Sequence, residues 1–378
     1  MMKSLLWVAS FLLLAFLGDR AIGYYFSKVT RNSQFRFSKL YNSNDTADVV
    51  FLGNSRGLTF YLPAAEAVSQ KKCVNLSYNG MPADLSKNLF FDYLDHHPKP
   101  EIVVIDVTMC DRNNDPLKQG FLLFTPSSKR LDTLVRGINP PENKSIGKKI
   151  MFGSMISHLY RYNNELFQRV LFHRNKTDKD VINDRVITEL AANDTAFKSY
   201  QVRMFKERVA DLKEIIDTAR ARNIAVKLVI NPYYPAFADV VRDSFLAPLK
   251  SYVEQETQMP VADFSKALNE RDEFGDYQHA NKKGSAHYMS ILNENNIFSN
   301  QPVAISFQPS SSNEPLALSL EPSHNRDSSR LITQSSQLLT VSNTNVKPTR
   351  KLISKPYRKN YEDSNSGSWI SVDTMFSN

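Results

Sequence analysis

The sequence predicts an α/β fold: a three-layer α/β/α sandwich, flavodoxin-like, around a mostly parallel five-stranded sheet. Three observations carry that expectation. Short apolar runs alternate with longer segments whose apolar residues recur at helical spacing. The runs are apolar at almost every position, as strands buried on both faces are. Each run also stops at glycine or a polar residue, where a strand would give way to a loop.

Taken in order, Val49 to Leu52 reads as the first strand, stopped at Gly53. A helix over residues 63–70 opens on Pro63, a residue suited to the first helical turn. Residues 73–76 form a second strand. Residues 84–94 form a helix that Asp84 can cap. Residues 102–107 form the third strand. An irregular and helical stretch follows, at about 108–194, which is either a helical subdomain over the site or a packing insertion. Residues 197–222 carry Val202, Phe205, Val209, Leu212, Ile215 and Ile216 at helical spacing. Residues 225–230 are the fourth strand, ended by Asn231 and Pro232. A helix over 238–256, a short fifth strand at Val261 and a helix over 281–293, capped by Asn281, complete a domain spanning about 47–300.

The ends are different in kind. Lys3 precedes an apolar run from Leu5 to Leu17, interrupted by Asp19 and Arg20 and resumed to Phe26. The run is short against the roughly 20 residues of a membrane span. Two readings are open for residues 1–26: an uncleaved signal-anchor, or a signal peptide cleaved near Ala21 to Gly23. Either exports the remainder, by way of a linker helix over 27–46. From about Pro302, serine, asparagine, glutamine and proline dominate and apolar periodicity is lost. Such a segment cannot bury enough surface to offset its ordering entropy, so residues 301–378 read as a disordered tail.

Composition limits the function classes. Net charge is +8, yet the lysines and arginines are scattered, with no zinc-finger spacing and no aromatic RNA-binding signature. A nucleic-acid partner is not expected. No Cys/His cluster has metal-ligand spacing, and no cofactor is expected. The two cysteines, Cys73 and Cys110, fall at opposite ends of a parallel sheet, too far apart for a disulfide.

In parallel sheets ligands bind at the carboxyl ends of the strands. Ser55, Gly80, Thr108 and Asn231 all follow predicted strands on that side. A serine hydroxyl needs a base to become a nucleophile, and the base needs a partner that fixes its tautomer. Asp276 and His279, three residues apart on a turn leading into a helix, supply both. The bland alternatives are that Ser55 caps the next helix and that His279 is incidental.

With these residues in view, the chain resembles the SGNH (GDSL-like) hydrolase superfamily. It is most similar to the membrane-anchored bacterial branch linked to acyl modification of cell-surface polysaccharides. Residues Gly53 to Arg56 resemble the block bearing the nucleophile, Asn75 to Gly80 the block whose glycine amide holds the oxyanion, and Asp276 to His279 the closing Asp-x-x-His. The resemblance spans about 47–297. It implies a Ser55–His279–Asp276 triad, with the amides of Ser55 and Gly80 as oxyanion donors. It also implies an esterase or an O-acyltransferase acting on a polysaccharide outside the inner membrane, with a membrane-bound acyltransferase as possible partner. The third block, Gly-x-Asn-Asp, is missing: the third strand ends Ile105-Asp106-Val107-Thr108. Asn231 and Asn79 are the candidates for its oxyanion donor. Arg56, Tyr233 and Tyr234 are candidate substrate contacts, Arg56 for an anionic group and the tyrosines for sugar faces. The missing block supports one alternative, a catalytically degenerate glycan-binding or assembly component.

Overall fold

The computed structural model of the chain describes residues 2–140, 142–176 and 202–301. The expected tail at 301–378 and the start of the helix expected over 197–222 lie outside the described residues, apart from residues 202–222 and 301.

Five strands form one sheet: β1 (Val49–Leu52), β2 (Cys73–Asn75), β3 (Ile102–Asp106), β4 (Ala225–Ile230) and β5 (Val261–Asp263). Their order is β2-β1-β3-β4-β5, and every neighbouring pair is parallel. In register, Val50 faces Val74 and Val103, and Asp106 faces Val229. All five carboxyl ends therefore lie at one edge.

The unbroken apolar runs are explained by two cores, one on each face. Val50, Leu52, Val103, Ile105, Leu228 and Ile230 point to one side, where Leu89 and Phe90 of α4 (Ala83–His96) and Leu212 and Ile216 of α9 (Lys206–Ala221) cover them. Val49, Phe51, Ile102, Val104 and Val229 point to the other. There Ala65 of α3 (Leu62–Ser69) and Tyr288, Met289 and Leu292 of α12 (Lys282–Glu294) pack. Successive side chains along each strand alternate faces, and both faces are dry.

Several boundaries differ from expectation for identifiable reasons. The amino-terminal helix α1 (Met2–Asn32) is continuous, and the chain then breaks before α2 (Arg36–Asn42). At the break, Ser33 Oγ donates to Val170 O and accepts from the Phe35 amide. Asp84 lies inside the first turn of α4, and Pro82 occupies the cap position. Helix α9 starts at Lys206, leaving Val202 and Phe205 outside it. The helix expected over 238–256 is two, α10 (Pro235–Val241) and α11 (Ala247–Thr257), joined by a π turn at Arg242–Leu246. Pro248 has no N–H to bond back into that turn, which accounts for the break. Asn281 does cap α12, its Oδ1 accepting from Gly284 N at 3.0 Å.

Between β3 and α9 lie, among the described residues, four α-helices, α5 (Asp115–Gly120), α6 (Lys129–Arg136), α7 (Ile146–Ile156) and α8 (Glu165–Phe172). Phe121, Phe124, Leu131, Phe167 and Val170 of this region join the core that also holds α2 and α4. The described part of the insertion is thus built into the domain. Its remainder lies outside the described residues.

Candidate active site

The end of β1 is held by polar side chains from its neighbours. Past Leu52, Asn54 caps a 3-10 turn, Ser55–Thr59, its Oδ1 accepting from Arg56 N at 3.0 Å. Asn54 Nδ2 donates to Thr108 O at 3.0 Å beyond β3. Asn75, ending β2, donates to Gly57 O at 2.8 Å and Phe60 O at 3.1 Å. A Cβ on Gly57 would fall 2.3 Å from Ser77 Oγ, so only glycine fits there. Asn54, not Ser55, is the cap. Ser55 is the first residue of the turn, 7% exposed, and its N–H has no partner within the turn.

Gly80 lies on the turn after β2 with φ +67, a left-handed conformation that favours glycine. Its carbonyl accepts from Asn114 Nδ2 at 2.9 Å. Its N–H meets no backbone acceptor among the described residues.

Asp276 and His279 lie on a small antiparallel hairpin, β6 (Phe274–Asp276) and β7 (His279–Ala280), rather than on a turn leading directly into a helix. Asp276 Oδ1 accepts from the amides of Gln278 at 2.8 Å and His279 at 3.0 Å. His279 Nδ1 sits 2.8 Å from Oδ1 and 2.9 Å from Oδ2. Burial opposes the Asp276 charge, but the imidazole and these hydrogen bonds outweigh it and hold the carboxyl below its ordinary range. Facing two carboxylate oxygens, Nδ1 is the donor, and whenever the ring is neutral Nε2 is the acceptor. Nε2 is buried and has no hydrogen-bond partner among the described residues.

The hairpin packs against the Ser55 turn. Arg56 Nη1 donates to Gln278 Oε1 at 3.2 Å, and the Tyr234 amide donates to Tyr277 O at 3.1 Å. The fold thus joins Asp276 to His279 directly and puts both beside the turn that bears Ser55. No hydrogen bond links Ser55 to His279 Nε2.

Other expected site residues take different places. Arg56 is 2% exposed and does not reach out to an anionic ligand. Its guanidinium donates to Thr108 Oγ1 at 2.8 Å, Thr108 O at 3.2 Å and Asp111 Oδ2 at 2.7 Å, and it lies over the Tyr233 ring. Burial opposes its charge, but Tyr233, Asp111 and Asp106 together keep it more firmly protonated than usual. Asn231 is fully buried with both amide hydrogens engaged, to Arg56 O at 3.1 Å and Asp106 Oδ2 at 3.2 Å. Its Oδ1 accepts from Tyr288 at 2.9 Å. It has no free donor for an oxyanion. Tyr233 is buried against Phe237, and Tyr234 is half-buried with its ring edge-on to Phe274. Tyr233, 2% exposed, offers no open face to a sugar. Asn79 is exposed, next to Gly80.

Sequence reasoning missed Asp106, Asp111 and Gln278, and named Thr108 only as a residue at the binding edge. Asp106 left a signal, a carboxylate ending a wholly buried strand. It accepts from Thr108 N at 3.0 Å and Thr108 Oγ1 at 2.6 Å, and burial pushes its carboxyl up despite Arg56. Burial also works against the Asp111 charge, but Arg112 and Arg56 more than offset it and hold that carboxyl low. Nothing in the sequence marks Asp111. His287 has its own partner, Glu273 Oε1 at 2.5 Å, and stands apart from the Asp276–His279 pair.

No family model and no curated protein matches the sequence. Among solved structures, the chain is similar to an acylhydrolase candidate from Bacteroides fragilis, with 12% identity, TM-score 0.36, and coverage of 68% of this chain and 93% of that one. It is also similar to a GDSL-like lipase from Bacteroides thetaiotaomicron, with 11% identity, TM-score 0.30, and coverage of 65% and 85%.

Proposed function

We propose that the chain is a serine acyl-ester enzyme of the SGNH type, an esterase or O-acyltransferase acting on a surface or secreted polysaccharide. One observation carries the reading. His279 is oriented by Asp276 through Nδ1, and its buried, unpartnered Nε2 lies on a hairpin packed against the Ser55 turn. A buried acceptor without a donor is costly, and the Ser55 hydroxyl is the group that would satisfy it.

In the proposed reaction Ser55 Oγ attacks the acyl carbon as its proton passes to His279 Nε2. The tetrahedral oxyanion takes hydrogen bonds from the Ser55 and Gly80 amides. His279 returns the proton to the leaving oxygen, the ester bond breaks, and an acyl-Ser55 remains. Water or a sugar hydroxyl, losing its proton to His279, then attacks the acyl carbon; the bond to Ser55 Oγ breaks as His279 returns that proton to Oγ, and Ser55 is freed. Free-enzyme hydrogen bonds of this kind are often long and tighten on substrate binding. The polysaccharide, and a membrane-bound acyltransferase as acyl donor, rest on the sequence resemblance alone. Helix α1, apolar and unburied over its first half, is consistent with a signal-anchor or a signal peptide; the place of the domain outside the inner membrane rests on the sequence reading.

The engagement of both Asn231 amide hydrogens favours one second reading, a degenerate binding component that lacks a side-chain oxyanion donor. A fluorophosphonate probe separates the two. Labelling of the purified chain that disappears in Ser55→Ala supports the enzyme, and an unlabelled, folded wild type rejects it. Supplying an acyl donor with and without a glycan acceptor then tells transfer from hydrolysis.

A further inference from the structure

The anchor's apolar run is too short by itself. Leu5 to Leu17 covers about 20 Å as a helix, against a hydrocarbon core of about 30 Å. If α1 spans a bilayer, the outer interface must fall among Asp19 to Phe26, the stretch where α1 meets the domain. Asp19 accepts from the amides of His158 at 2.8 Å and Leu159 at 3.1 Å, and from Ser157 Oγ. Arg20 donates to the last carbonyls of α7, Ile156 O at 3.0 Å and Met155 O at 3.3 Å. At Gly23 the two segments nearly touch, since a Cβ there would lie 2.4 Å from His158 Cβ. These contacts fix the end of α7 at the level of the interface.

That end is apolar on its outer side. Helix α7 buries Gly147, Ile150, Met151 and Ser154. Its opposite face shows Phe152 at 63%, Met155 at 66% and Ile156 at 59% exposure among the described residues. Lys148 and Lys149 are exposed one turn earlier on the same helix, and Tyr24, Tyr25 and Tyr160 are exposed nearby in the contacting segments. An apolar stripe with flanking lysines and tyrosines is the composition of a helix lying in a lipid head-group layer.

We propose that the carboxyl-terminal half of α7 is a second membrane contact. Phe152, Met155 and Ile156 enter the outer leaflet of an anionic bilayer beside α1, and Lys148 and Lys149 meet lipid phosphates. The proposal rests on the anchoring part of the function proposed above and is independent of the chemistry at Ser55.

The test uses the full chain in phosphatidylcholine–phosphatidylglycerol vesicles. Cys73 and Cys110 are buried, so a thiol-reactive, polarity-sensitive fluorophore goes to an introduced cysteine. Three sites are compared: Phe152→Cys, Leu12→Cys within α1, and the exposed Arg220→Cys on α9. With shallow nitroxide lipids, Leu12→Cys and Phe152→Cys should each lose on the order of half their emission, and Arg220→Cys almost none. Quenching at Leu12→Cys without quenching at Phe152→Cys overturns the second contact and leaves the anchor standing. Quenching at neither overturns both. A blue-shifted Phe152→Cys label that lipid nitroxides do not quench means that protein, such as a second copy of the chain, covers the stripe, and that too overturns the proposal.

Discussion

Replacing Asp276 with asparagine changes one atom of a carboxylate and inverts the proton placement on His279. In the native chain Asp276 Oδ1 takes the amides of Gln278 and His279, and both carboxylate oxygens face Nδ1. Asparagine can keep its oxygen on the two amides. Its NH2 then occupies the Oδ2 position, 2.9 Å from Nδ1 in the native chain, and becomes a donor. Nδ1 must accept, the ring proton moves to Nε2, and the nitrogen proposed to take the Ser55 proton can no longer do so. A wrong tautomer of this kind costs about ten-thousandfold in kcat, or about 5.4 kcal/mol of transition-state stabilisation. The backbone hydrogen bonds survive, so the melting temperature should move by only a few degrees. Hydrolysis of p-nitrophenyl acetate by purified wild type and Asp276→Asn, with a melting curve for each, measures both quantities. A folded variant retaining activity within about tenfold of wild type would refute the assigned role of Asp276.

Three further outcomes follow from the polar network beneath Ser55. Asp111→Ala strands the buried Arg56 charge and should cost about 3–5 kcal/mol in urea unfolding; Arg56→Met with Asp111→Leu should recover most of that, and a loss in the double variant equal to that of Asp111→Ala counts against the pair. Asp111 and Asp276 are both held below their ordinary range, so the stability they contribute is complete above about pH 4. It is lost as pH falls through their lower folded values, while Asp106, pushed up by burial, offsets part of the loss; a urea midpoint already falling between about pH 7 and 5 would need other groups. Gly57→Ala places a methyl against Ser77 Oγ and Cβ and should cost about 1–3 kcal/mol, with partial recovery on adding Ser77→Gly, and equal stability of Gly57→Ala and wild type would rule out the close approach.

The sheet was legible because its central strands β1 and β3 are buried on both faces and stand out as apolar runs. Residues 225–230 match the expected fourth strand although Lys227 interrupts their apolar pattern. The helix breaks were harder: Pro248 marks the end of regular bonding, but the π turn before it depends on how α10 and α11 seat on the core. At the site, position was readable and employment was not. Ser55, Gly80, Thr108 and Asn231 all follow from the rule that loops after parallel strands gather at one edge. Whether Arg56 and Asn231 face solvent or one another depends on burial, and burial at a strand end leaves no pattern in the chain. The same holds for Phe152, Met155 and Ile156, whose spacing reads equally well as a core-facing stripe. Only the observed packing of Ile150 and Met151 on the opposite side of α7 reveals which face is dry.

Helix α1 is a single 31-residue rod whose later turns are clasped by the body it carries. There is no swivel between stalk and head. Whatever grips the stalk therefore also sets the heading of the sheet edge that bears Ser55, at a constant height and angle, as a lathe sets its tool. On the proposed function, a long polymer would have to be drawn past that edge for successive units to be worked, and the spacing of modified units would then record the polymer's own motion.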